Sequence, residues 1–128
     1  MDIKRKDLVR FYNFLSEASL VGAASRARTK LAKDILDSVK ELQNDEMENA
    51  KEFEGKTAEN GSIDFPDTDS RNKFIKVQAE MYEEEVIFSE KVKDQFSRLK
   101  NAFDNYDKPL QGEEAQTYDD LMDALEAK

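Results

Sequence analysis

Residues 23–54 contain neither glycine nor proline, and their apolar side chains recur at helical spacing. Ala27, Leu31, Ile35, Val39, Leu42, Met47, Ala50 and Phe53 keep one continuous stripe, the pattern of an amphipathic helix rather than a strand. At about 1.5 Å per residue, roughly 30 such residues make a rod of about 45 Å. A rod of that length needs partners along its side, so the rest of the chain is expected to supply them.

Only four glycines and two prolines occur, and they fall between periodic segments. Before the long stripe, Leu8, Phe11, Leu15 and Ala18 predict a short helix over 7–18, with Asp7 placed to accept from the free N–H groups of its first turn. Gly55 ends the rod. Asn60-Gly61 is a pair suited to a type I′ turn, and Ser62, Ile63, Asp64 and Phe65 alternate polar and apolar before Pro66, so a small β-hairpin or ordered loop is expected near 56–66. Asp67, Thr68, Asp69 and Ser70 then offer N-caps. Phe74, Val77, Met81, Phe88, Val92, Leu99, Phe103 and Tyr106 lie near one helical phase, which favours a single helix over 70–106. The β-favouring run Val86, Ile87, Phe88, with Ser89 as a fresh cap, gives the alternative of a break and a short strand at 86–88. Lys108-Pro109 and Gly112 close that segment. A last helix is expected over 113–126, with Ala115, Tyr118, Met122 and Leu125 on one side and acids at its N-terminus.

The expected fold is mainly α, a single helical domain over 1–128. Two long helices form an antiparallel hairpin, with the two short helices packed at the end opposite the 56–66 connection. The far end of the hairpin, around residues 47–53 and 74–81, has only two helices and a loop to cover its apolar side chains. Either Ile63 and Phe65 fold back over it, or a partner or second copy covers it.

The chain has no Cys and no His. Disulfides, thiolate and imidazole metal sites, and the Ser-His-Asp and Cys-His nucleophile systems are therefore excluded. No stretch approaches the roughly 20 apolar residues that cross a bilayer, and no apolar run of a secretory leader follows the N-terminal cations. A non-membrane protein of the cytoplasm is expected. The net charge is −9. Residues 1–40 hold nine cations and five carboxylates, a net of +4, so the remainder carries −13. Such a field repels nucleic-acid phosphate and argues against direct nucleic-acid binding.

No acidic cluster has the spacing of a metal or acid/base site. Asp64, Asp67 and Asp69 depart from the calcium-loop pattern, Glu80 and Glu83–Glu85 point around a helix, and Asp119, Asp120 and Asp123 read as an exposed acidic face. Lys4-Arg5-Lys6 can meet phosphate, RNA or an acidic partner, or can simply keep the terminus solvated. In Ser25-Arg26-Ala27-Arg28-Thr29-Lys30 cations crowd a helix N-terminus, where the dipole disfavours them. Arg26 or Arg28 is therefore expected to pair with carboxylates of the C-terminal segment, with Asp119 and Asp120 as candidates. No cofactor is implied.

ASRARTKL after YNFL, the mid-chain NG and the ending QGEEAQTYDDLMDALE together resemble a family of small helical proteins of unassigned activity. Its members are encoded by bacteriophages and prophages of Gram-positive bacteria. The resemblance rests on Ser25, Arg26, Arg28, Gly112, Tyr118, Asp119 and Leu121. It implies a viral or prophage origin and the bacterial cytoplasm, and it supplies no catalytic residue. Two functions are then in view. One is a non-enzymatic accessory protein acting through protein–protein contacts, with itself or another chain. The alternative is an acidic inhibitor that mimics nucleic acid and occupies a basic host protein.

Overall fold

The computed structural model describes residues 1–127. Its helices are α1 (Leu8–Glu17), α2 (Gly22–Glu52), α3 (Thr68–Tyr82), α4 (Gln95–Asp104) and α5 (Glu113–Glu126). Two short antiparallel ladders join them: β1 (Asp2–Lys4) pairs with β4 (Glu85–Ile87), and β2 (Lys56–Thr57) with β3 (Ile63–Asp64). The chain is thus mainly helical, as its apolar spacing requires. Glu46 meets Tyr82 and Asn49 meets Gln78, so α2 and α3 run antiparallel on either side of the β2–β3 hairpin.

At the other end of α2, α1, α4 and α5 close a small bundle. Leu8, Leu15, Leu31, Ile35, Leu99, Phe103, Leu121 and Leu125 are each exposed by 1% or less. Burial of each such side chain is worth about 1.5–3 kcal/mol. Phe14, Phe103, Tyr106 and Tyr118 pack around one another, mostly tilted or edge to face, with ring centroids 5.5 to 6.5 Å apart. The Tyr118 hydroxyl donates to the Phe103 carbonyl, which keeps its polar end satisfied. Asp7 does not cap α1. Its carboxylate instead accepts from Arg10 Nε and Nη2 at 3.1 and 2.9 Å, and a 3₁₀ turn over Arg5–Asp7 leads into the helix.

The stretch 70–106 is not one helix. It breaks after Tyr82, and the strand falls at Glu85–Ile87, one residue before the expected position. Ile3, 2% exposed, sits opposite Val86, and the Arg5 N–H donates to the Glu84 carbonyl. A strand partner from the N-terminus, together with β-branched Val86 and Ile87, outweighs the helical phase. The phase continues past the break because Phe88, Leu99 and Phe103 face the same core. α4 starts at Gln95, not at Ser89. Glu90 Oε1 accepts the Phe96 N–H at 3.1 Å, and Asp94 takes a left-handed conformation with φ 59°. Gln95, fully buried, accepts the Lys91 N–H and donates to the Ala27 carbonyl at 3.0 Å, tying the segment to α2.

α2 ends in a Schellman turn: the Gly55 N–H reaches the Ala50 carbonyl and the Glu54 N–H the Lys51 carbonyl. The left-handed residue of that turn is Glu54, at φ 61°. Gly55 serves another need, since a Cβ there would stand 2.7 Å from Ile63 Cγ2 and 2.8 Å from a Phe65 ring carbon. Asn60-Gly61 does not form a type I′ turn. Only Gly61 has positive φ, at 85°, and its N–H reaches the Ala58 carbonyl, which defines a type I turn followed by a left-handed glycine bulge. Asp67 caps α3 as expected, accepting the Ser70 N–H at 2.7 Å. That bond holds its carboxyl below the usual range.

Candidate functional site

The thinly covered end of the α2–α3 hairpin carries an open groove of about 680 Å³. Its floor and walls are Met47, Ala50, Gly55, Ile63, Phe74 and Gln78, with Glu46, Lys51 and Lys56 around the rim. Ile63 and Phe65 do fold back, and the Phe65 ring packs on Phe74 with centroids 4.9 Å apart. They cover one part of the end and leave another open. Met47, which lines the opening, is 60% exposed, and Ile75, next to Phe74 in α3, is 48% exposed. α3 buries only Gln78 and Met81, so this helix lies on α2 without a sealed apolar seam.

Polar side chains hold the two helices in register next to the groove. Asn49 Nδ2 donates to Gln78 Oε1 at 2.8 Å, Gln78 Nε2 donates to the Tyr82 hydroxyl at 3.3 Å, and that hydroxyl donates to Glu46 Oε2 at 3.0 Å. Burial raises the Tyr82 pKa, and the neighbouring Glu46 carboxylate adds to the shift. The chain ends on a carboxylate whose second oxygen points to no other protein donor among the described residues. Nothing in the periodicity of α3 marks Gln78 as buried; the signal available was the spacing of Glu46, Asn49, Gln78 and Tyr82 across an antiparallel pair.

The expected pairing of Arg26 or Arg28 with C-terminal acids does not form. Arg28 Nη1 donates to the carbonyls of Leu15, at 3.0 Å, and Ala18, and its Nη2 donates to Ser25 Oγ. The compensation for cations at the start of α2 is thus the negative pole at the C-terminus of α1. Arg26 is exposed and forms no ion pair among the described residues. Asp120 is held instead by Arg10, at 2.7 Å, and accepts from Gln116 Nε2 on its other oxygen. Partial burial opposes the Arg10 charge, but the bonds to Asp120 and Asp7 outweigh it and raise its pKa. The ligand oxygens of Asp119, Asp120 and Asp123 lie within 4.8 Å of one another. Both Asp120 oxygens are thereby engaged, and Asp119 and Asp123 stand exposed beside it.

The basic arm is also taken up internally. Lys4 and Lys6 bind the two oxygens of Glu83 at 2.8 and 2.7 Å, and Arg5 binds Asp45 at 2.6 Å and Glu84 at 3.3 Å. The hydrogen bonds from Lys4 and Lys6 hold the Glu83 carboxyl down to about 2. Along α2, Asp34, Asp37, Glu41, Asp45, Glu48 and Glu52 follow one another at steps of three or four residues and so share one side of the helix. Lys91 takes Asp34 at 3.3 Å and Arg5 takes Asp45, which interrupts the row.

Fold and groove define a small, mainly helical protein with an exposed apolar site at a two-helix tip. No helix among the described residues is long and apolar enough to cross a membrane. No protein family, no curated protein and no solved structure matches the chain.

Proposed function

We propose that this chain is a non-enzymatic accessory protein of a bacteriophage or prophage, working in the bacterial cytoplasm through protein–protein contacts. The open apolar groove carries the protein-contact part of the reading, and the phage origin rests on the sequence resemblance alone. A helical tip that leaves Met47 and Ile75 in water beside an unfilled groove is built to be covered by another polypeptide. A photo-reactive residue placed at Met47 in a Gram-positive host tests it. The expected result is one discrete polypeptide adduct that disappears when Phe74 is changed to Asp, whereas adducts scattered over abundant cell proteins would sink the reading.

The row of carboxylates on α2 favours a second reading, an acidic surface that imitates nucleic acid and blocks a basic host protein. Exchanging Asp37, Glu41, Glu48 and Glu52 for Asn or Gln separates the two. Under the second reading the exchange abolishes capture of the host protein and the capture weakens steeply with salt. Under the first, capture follows Met47 and is indifferent to the row.

A further inference from the structure

We propose that the groove face is an interface between two copies of this chain, related by a twofold axis across α2. The proposal deepens the protein-contact reading, and rests on it, by naming the partner.

The residues at the groove are arranged symmetrically about one point. Met47 and Ala50 are three residues apart, Glu46 and Lys51 five apart, and both pairs share the same midpoint on α2. All four line the groove. A twofold axis through that midpoint lays α2 antiparallel on its copy. It points the exposed Met47 of each chain into the groove of the other, whose floor is the small, buried Ala50, and sets Glu46 of each beside Lys51 of the other. Large against small and acid against base are therefore satisfied twice by one operation, and both grooves close together without leaving a site for a third chain. Glu46 has an oxygen left for this contact, since only Oε2 accepts from Tyr82. The four helices brought together, two α2 and two α3, give each tip the bundle that a single chain builds only at its other end.

Charge chooses this face over the opposite one. The rim of the groove holds Glu46 against Lys51 and Lys56. The cleft on the other side of the pair holds Asp45, Glu48, Glu80 and Glu84 against Arg5 alone. In a chain of net charge −9, two copies meet without strong repulsion only where cations offset the acids. Size sets the strength. α3 gives a face about 22 Å long, and two packed helices make it about 20 Å wide. That is roughly half of the ~800 Å² per partner of a standard interface, so the pair is weak and depends on concentration.

Sedimentation equilibrium of the full chain from about 10 μM to about 1 mM tests this. The average mass should climb from 14.8 kDa toward twice that value. Met47→Asp, at a residue already exposed in the single chain, should leave the helical circular dichroism unchanged and hold the mass at one chain. Lys51→Glu should raise the dissociation constant by about tenfold or more, and adding Glu46→Lys to it should restore pairing. As a second readout, Glu46→Cys and Lys51→Cys chains mixed under oxidation should give a mixed disulfide in preference to either self-pair, because the native chain has no cysteine. A strict monomer at the highest concentration, or a dimer that survives Met47→Asp, overturns the proposal. A monomer that still gives one discrete foreign adduct at Met47 overturns the self-pairing alone and leaves the protein-contact reading standing.

Discussion

Glu54 and Gly55 divide between them what one C-terminal glycine usually does. Glu54 holds the left-handed position of the Schellman turn, which costs a side-chain-bearing residue about 1 kcal/mol. Gly55 makes room for Ile63 and Phe65. Glu54→Gly should therefore raise the unfolding free energy by about 1 kcal/mol in urea titration. Gly55→Ala should lower it by about 1–3 kcal/mol, because Ile63 is β-branched and its methyl cannot swing away. The sequence marks the end of α2 correctly through Gly55, but nothing local tells that the strained residue is its neighbour. The two arginines give a matching contrast. Arg28→Met removes a guanidinium from the Leu15 and Ala18 carbonyls and should cost about 1.5–3 kcal/mol, whereas exposed Arg26→Met should stay within about 0.5 kcal/mol. A negative partner for Arg28 was legible from the crowding of cations. Its identity was not, because helix-end carbonyls carry no signature in the residue types.

At the scale of elements, the β1–β4 ladder decides the topology and is the part least readable from periodicity. Three residues at each strand give a weak local signal, and the pairing joins the first residues to positions more than 80 further on. The acids after α3, which read from sequence as a solvated face, take the N-terminal cations and fasten the ladder. Glu83 has a folded pKa of about 2, below its ordinary 4.5. Its contribution is therefore complete above about pH 4.5 and is lost as the pH falls toward 2. The amide resonances of Ile3 and Val86 should lose their strand shifts over that interval, and sooner at high salt because the Glu83 pair is exposed. Glu83→Gln should remove the acid step and leave a ladder already loosened at neutral pH. An unchanged titration in that variant would show that another carboxylate governs the strand.

Over the whole molecule, burial is graded from one end of α2 to the other. The bundle end holds Leu31 and Ile35 in one core with side chains of α1, α4 and α5, while the tip offers Ala50, Gln78 and Met81 as its buried residues and leaves Met47 in water. Local opening should follow that gradient, since the free energy of exposing a segment tracks the apolar contact it gives up. Native-state hydrogen exchange should therefore show amides of α3 exchanging through a partial opening, with lower protection than those of α1, α4 and the first half of α2. Truncation sharpens the comparison. Phe103→Ala empties a fully buried site and should cost about 3–5 kcal/mol. Phe74→Ala, at a partly buried wall of the groove, should cost well under half of that and accelerate exchange only in α3 and the β2–β3 hairpin. If both substitutions speed exchange everywhere equally, the tip and the bundle unfold as one unit and the gradient has no energetic meaning. If the tip responds alone, binding at the groove has a loose segment to order. Any occupant then protects α3 amides in proportion to its concentration, while amides of the bundle stay as they were.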